Sequence, residues 1–146
     1  MRLTSFTDFG LRALMRMASD PNRAFSTADL STELSLSRNH LAKIMANLAQ
    51  AGIITTRRGG RGGAILAQPA ENILLGDIVR ALEAGQPLVE CFVSSGGKCA
   101  LVGRCRLKAR LRVAEAAFLT SLDKSTLADI ALPQMDDAGT RKAVPA

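Results

Sequence analysis

Residues 25–52, FSTADLSTELSLSRNHLAKIMANLAQAG, narrow what this chain can fold into more than any other stretch. Ser26 followed by Asp29 has the spacing of a capping box, in which a hydroxyl and a carboxylate satisfy free backbone donors at a helix start. A short helix is therefore predicted to run through Leu34. After a turn at Ser35 and Leu36, Ser37 repeats the N-cap signal, and Leu41, Ile44, Met45 and Leu48 fall on one helical face. Gly52 stands where a helix C-terminus favours a left-handed residue. Two helices in this order and proportion make a helix-turn-helix. The remaining face of the longer helix carries Ser37, Arg38, Asn39, His40, Lys43 and Asn47. Arginine can pair with guanine, and asparagine with adenine, through two hydrogen bonds each. A solvated polar face of an ordinary helix would look the same in isolation, so its neighbours decide.

Those neighbours agree with a reader of nucleic acid. Upstream, Leu11, Leu14, Met15 and Ala18 recur at helical spacing, and the SDPN stretch at Ser19–Asn22 ends that helix because proline cannot continue it. Downstream the period changes to two, with strands predicted at Ile53–Thr56 and Ala64–Leu66. The hairpin tip between them carries Arg57, Arg58 and Arg61 among glycines. Glycine permits close backbone approach, and arginine is favoured in a narrow minor groove. A basic turn of no function is the plain alternative, but its place directly after a helix-turn-helix makes it a wing. A phosphate-binding P-loop is excluded, because the lysine and the Ser/Thr of that motif are missing.

The net charge of +6 favours a polyanionic partner without identifying one. Aromatics are 3% of the chain, with no Trp or Tyr, so the core must be built from Leu, Ile, Ala, Val and Met. No stretch reaches the roughly 18 apolar residues of a membrane helix. Asp8, Arg12 and Arg16 interrupt any signal-peptide core near the N-terminus. A cytoplasmic protein with reduced thiols is the expectation. No Ser/His/Asp grouping or carboxylate pair points to an enzyme.

The second half reads differently. Gln68-Pro69-Ala70 suits a short linker, dividing a DNA-binding unit at 1–68 from a second unit at 69–132, with a disordered tail expected over 133–146. Leu75, Ile78, Val79 and Leu82 share one helical face, and EAGQP closes that helix. From Arg104 a helix of about 19 residues, about 28 Å long, is predicted. Its stripe of Leu107, Leu111, Ala114, Phe118 and Leu122 is narrow, with Arg106, Lys108, Arg110 and Arg112 elsewhere on its surface. Packing within one chain would account for it. Self-association accounts for it better, since a two-fold DNA reader needs paired half-sites. STLADI at Ser125–Ile130 is a final capped turn.

Between these helices lies ECFVSSGGKCALVGRCRL, which holds all three cysteines, Cys91, Cys99 and Cys105. A disulfide would leave one thiol over, and the spacing lacks the paired C-x-x-C knuckles of zinc ribbons. Thiolates prefer soft metals, and Gly96 and Gly97 would let the loop fold around an iron–sulfur cluster. On spacing alone, a cluster and three unrelated reduced thiols remain equally open.

MRLTSFTDFGLRAL, SRNHLAKI, RRGGRGGAIL, LGDIVRALE and the C…C…CRLK loop followed by AFLTSLDKSTLADI occur in that order across residues 1–132. Together they resemble the winged-helix iron–sulfur transcriptional regulators of the IscR, RirA and NsrR type, and most of all the nitric-oxide-sensing NsrR type. The resemblance implies a mainly α fold with a small β-hairpin, a winged helix-turn-helix plus a long dimerisation helix. It implies a homodimeric repressor of a double-stranded DNA operator, released when nitric oxide attacks the cluster. One iron–sulfur cluster per subunit, 4Fe–4S with 2Fe–2S as the alternative, would be held by Cys91, Cys99 and Cys105. The fourth ligand would be Asp8 of the partner subunit, which otherwise reads as an ion pair with Arg12 at i+4. Where IscR-type proteins place a ligating histidine this chain has Lys108, and an ammonium cannot coordinate iron. The seven residues between Cys91 and Cys99 also suit RirA-type iron sensors, so iron or cluster status is the alternative signal. A zinc or thiol redox switch is a further one.

Overall fold

The computed structural model describes residues 2–133 apart from Arg61 and Gly96, so the expected disordered tail lies, after Pro133, outside the described residues. Five α-helices and one antiparallel hairpin follow the order read from the sequence: α1 (Ser5–Ser19), α2 (Thr27–Leu34), α3 (Arg38–Gln50), β1 (Ile54–Arg57), β2 (Gly63–Leu66), α4 (Leu75–Leu82) and α5 (Arg106–Leu122). Short 3₁₀ turns occupy Ala70–Asn72, Glu90–Phe92 and Leu127–Ile130.

Local chemistry sets these boundaries. Ser26 Oγ accepts from the Asp29 backbone N–H and Asp29 Oδ2 accepts from the Ser26 N–H, the reciprocal box that starts α2. The turn into α3 places Ser35 in the left-handed region at φ 54°, a conformation that costs a non-glycine residue energy. Ser31 Oγ, donating to the Leu36 carbonyl at 2.6 Å, helps hold it there. At the end of α3, Gly52 adopts φ 74°, its N–H meets the Ala49 carbonyl, and the Ile53 N–H reaches the Leu48 carbonyl. This is a Schellman closure. It engages the Ile53 N–H, so β1 begins at Ile54, one residue later than the alternation alone predicts. Similarly α5 starts at Arg106, not Arg104, because Gly103 turns at φ 88° and Cys105 takes the N-cap position in extended conformation.

The wing pairs Ile54 with Leu66 through Arg57 with Gly63. Phe25 extends this ribbon by exchanging two backbone hydrogen bonds with Ala64, at 2.9 and 2.8 Å. Gly63 makes that possible, since a Cβ there would lie 2.8 Å from the Phe25 carbonyl group.

One continuous core joins Leu14 and Met17 of α1 and Leu30, Leu41, Ile44 and Leu48 of the helix-turn-helix to Leu75, Ile78, Leu82 and Leu127. Thus α4 and the C-terminal turn share the core of the DNA-reading half, although Pro69 interrupts the chain between them. Gly10 lets α1 approach α4 closely, for a Cβ there would meet Leu82 Cδ1 at 2.6 Å. Gly76 plays the same part for α5, because its missing side chain leaves room for the Asp123 carboxylate. That carboxylate receives Arg80 Nη1 and Nη2 at 2.8 and 2.6 Å, tying α4 to the end of α5. The hydrogen bonds from Arg80 hold the Asp123 carboxyl below its usual range and raise the guanidinium in turn.

A carboxyl depressed in the folded state adds stability above its unfolded pKa of about 3.9, and this is lost as pH falls through the folded value. Asp123→Asn should lower the thermal midpoint at neutral pH and flatten its fall below about pH 4. Thermal melts from neutral to strongly acidic pH test this, and parallel curves for the two proteins would refute it.

Candidate nucleic-acid interface and thiol loop

Helix α3 presents Ser37, Arg38, Asn39 and Lys43 to solvent, and Ser37 Oγ caps the helix by accepting from the His40 backbone N–H at 3.4 Å. Asn47 is placed otherwise: it is half-buried, and its Oδ1 is enclosed without a hydrogen-bond partner among the described residues. His40 is also half-buried, against the rings of Phe6 and Phe9 on α1. In the wing, Arg57 and Arg58 are exposed on the rising arm and its tip, and the Gly62 N–H closes the tip onto the Gly59 carbonyl at 2.8 Å. Arg61 lies outside the described residues.

Other cations nearby are committed internally. Arg16 and Arg23 both bind Glu33, at 2.6 and 2.8 Å, and both place guanidinium groups over Phe25, at 4.8 and 4.4 Å. By contrast, Arg38, Lys43, Arg57 and Arg58 form no ion pair with a described residue. Open cations thus line α3 and the wing, and Lys98, Arg104, Arg106, Lys108 and Arg110 of the thiol loop and α5 are likewise without an ion pair to a described residue. Phosphate contacts need unpaired cations, and these supply them.

The three cysteines occupy the segment that joins α4 to α5. Cys91 sits in the 3₁₀ turn, Cys99 in an irregular stretch, and Cys105 caps α5; all are free and half-buried. Two contacts secure the loop. The Arg112 guanidinium of α5 lies 4.5 Å from the Phe92 ring, and Glu90 Oε1 accepts from the Lys98 N–H at 3.4 Å. Gly97, at φ 56°, packs over the Glu90 backbone, where a Cβ would stand 3.1 Å from its carbonyl oxygen. As a donor set, three accessible thiols beside Lys98, Arg104 and Arg106 suit an anionic cluster of a soft metal. Within one chain they do not converge: no group of three or more metal-binding side chains gathers among the described residues. Asp8 is half-buried in the first turn of α1 and bound by Arg12 through two hydrogen bonds of 3.2 and 2.7 Å. Lys108 follows in the first turn of α5.

Helix α5 buries none of its 17 residues fully, and Leu107 and Val113 are 62% and 67% exposed. Two further contacts connect the regions and have no short-range sequence signal. Glu83 Oε1, at the end of α4, accepts from the Thr4 N–H at 2.8 Å and the Thr4 hydroxyl at 2.9 Å. Thr4 is also the N-cap of α1, so this bond ties the start of α1 to α4. The Arg80–Asp123 fork then carries α4 to α5.

A family model described as Rrf2, iron-dependent transcriptional regulator, matches residues 3–132. Among solved structures, T. potens IscR is 25% identical with a TM-score of 0.68, over 89% of this chain and 85% of that one. CymR, the global cysteine regulator of B. subtilis, is 26% identical with a TM-score of 0.64, over 90% and 96%. The oxidized form of Staphylococcus aureus CymR is 26% identical with a TM-score of 0.66, over 93% and 100%. The fold expected from the sequence, mainly helical with a winged hairpin, is the fold of these regulators.

If the open cations of the wing contact phosphates, Arg57→Ala with Arg58→Ala should lower the salt dependence of duplex binding by nearly two units of the logarithmic slope. The melting temperature should be unchanged, since neither side chain is packed. A salt titration of duplex binding checks this, and an unaltered slope would place the wing away from DNA.

Proposed function

The chain belongs to the Rrf2 family of transcriptional regulators, and from that premise we propose that it is a homodimeric repressor of an operator in double-stranded DNA, switched by an iron–sulfur cluster that senses nitric oxide. Residues 1–68 read DNA through α3 and the wing, and residues 69–132 carry the sensor loop and the dimer helix. Cys91, Cys99 and Cys105 hold one cluster per subunit, 4Fe–4S, with Asp8 of the partner subunit as the fourth ligand. The observation that carries this reading is the position of all three thiols between α4, packed in the core of the DNA-reading half, and α5, which leaves Leu107 and Val113 exposed. Ligands that reorganise that loop act directly on the dimer helix.

When bound, such a cluster supplies iron that nitric oxide can attack in place of a protein ligand. The chain's own residues do the rest. Thr4 and Glu83 tether the first turn of α1 to α4, and Arg80 with Asp123 tethers α4 to α5. Asp8 would be one of the residues holding the cluster, and Arg12 on the same helix would compete with it for that carboxylate. Two recognition helices must stand about 34–36 Å apart to enter successive major grooves, so a modest change between subunits breaks the match. A coupling of about 3 kcal/mol suffices for about a 150-fold change in DNA affinity.

The nitric oxide assignment rests on the likeness carried by FTDFGLRAL, SRNH and STLADI. A second reading, in which iron or cluster status is the signal, has the support of the iron-dependent family description and of IscR among the similar structures. A thiol switch without a cluster has the support of three free, half-buried thiols in one connecting segment. Iron, sulfide and zinc content of anaerobically prepared protein separates these.

An anaerobic nitric oxide titration, read by visible absorption and duplex binding together, should show both signals falling in step. Loss of absorption with DNA affinity unaltered would exclude nitric oxide as the effector. Asp8→Ala should speed cluster loss severalfold while cluster-loaded protein keeps its duplex specificity; an unchanged rate would remove Asp8 from the ligand set.

A further inference from the structure

His40 occupies a base-facing stretch of α3, yet its ring is turned towards α1. The imidazole lies 5.3 Å from the Phe9 ring at 78°, an edge-to-face contact, and 6.0 Å from the Phe6 ring at 42°. Phe6 and Phe9 are three residues apart and share one face of α1, on either side of Asp8 in sequence. Phe9 in turn lies under the Arg12 guanidinium, 5.6 Å from its ring centroid. On the α3 side, the His40 N–H is the one capped by Ser37, next to Arg38 and Asn39. One imidazole therefore joins the first turns of two helices, one presenting base-reading groups and the other Asp8.

We infer that His40 is a positioning residue for DNA recognition, fixing the first turn of α3 against α1 through Phe6 and Phe9 so that Arg38 and Asn39 are presented at the correct pitch. The chemistry required at position 40 is a flat ring of moderate size, not a hydrogen bond to a base. Edge-to-face pairs fix relative orientation as well as distance, which a flexible side chain cannot do. Bidentate recognition of a base depends on that orientation, because two hydrogen bonds must form together. Backbone-phosphate contacts tolerate small rotations and carry no sequence information, so they should be indifferent to the ring. The inference rests on α3 being the DNA-reading helix.

The test uses the full chain in one cluster state, with a duplex that the wild-type protein enriches from a random-sequence pool and a scrambled duplex of equal length. His40→Ala should weaken binding to the enriched duplex roughly tenfold, the scale of one misaligned base contact, and leave scrambled-duplex binding within about twofold. His40→Phe should restore most of the loss, and His40→Gln, which keeps hydrogen-bonding capacity but no ring, should not. Phe9→Ala combined with His40→Ala should cost little more than His40→Ala alone, since both remove one contact. The reverse pattern, with His40→Gln active and His40→Phe weak, would make His40 a direct reader and overturn the inference. Arg38→Ala is the control for its premise. If that change leaves enriched-duplex binding unaltered, the reading of α3 falls and the positioning role with it. If Arg38→Ala weakens binding while His40→Phe does not rescue, only the positioning role falls.

Discussion

Leu82 seated against Gly10 is the contact on which the arrangement of the molecule depends. A side chain on Gly10 would collide with Leu82, and Ile44 of α3 stands at 3.3 Å from the same point, so α1, α3 and α4 meet there. With no Trp or Tyr to span wider gaps, helices of Leu, Ile, Met and Ala must approach closely to exclude water. The consequence reaches beyond packing. Because α4 is held against both the recognition helix and α1, the thiol loop that follows it starts from a fixed point. Thr4–Glu83 and Arg80–Asp123 extend that frame in two directions. Both are partly exposed, and their role is to set direction, since solvated hydrogen bonds and ion pairs add little stability.

Charge is sorted in the same way. A net charge of +6 could have been spread evenly, which would say little about a partner. Instead Arg16, Arg23 and Arg80 are bound to Glu33 and Asp123, where they stack on Phe25 or fix α4 to α5. Arg38 and Lys43 of α3 and Arg57 and Arg58 of the wing pair with no described residue. This partition sets the structural cations apart from the rest, and neither composition nor pI could have made it.

Much of the fold was legible because it is written in short-range chemistry. The Ser26–Asp29 box, the Ser37 cap, the stop at Gly52 and the apolar face of α3 involve residues within a few positions of each other. Where the reading slipped, a backbone bond intervened: the Schellman closure took the Ile53 N–H from β1, and Gly103 delayed α5. The long-range ties were illegible for a plain reason. Thr4 and Glu83 are 79 residues apart, Arg80 and Asp123 are 43 apart, and nothing in a lone polar residue names its distant partner. His40 was misleading in another way, since helical periodicity places it on the polar face while a neighbouring helix supplies the rings that claim it. The candidate site was half legible: the thiols were found by counting, but counting cannot bring them together.

That separation is itself informative when set beside α5. Within one chain, the thiols form no group of three metal-binding side chains among the described residues, Asp8 is held by Arg12, and a 17-residue helix leaves Leu107 and Val113 largely in water. The exposed leucine and valine are consistent with the proposed pairing of two copies. Burying a leucine or valine side chain is worth about 1.5–3 kcal/mol, so pairing α5 with a second copy would repay several such residues on each side. The same pairing would set two recognition helices at a fixed spacing and bring each thiol loop to a neighbouring subunit. A sensor built this way needs no large movement inside either subunit, whose core is continuous from α1 to the C-terminal turn. It needs only that the tie between subunits be chemically breakable, and thiolate and carboxylate ligands on a soft metal are ties of that kind.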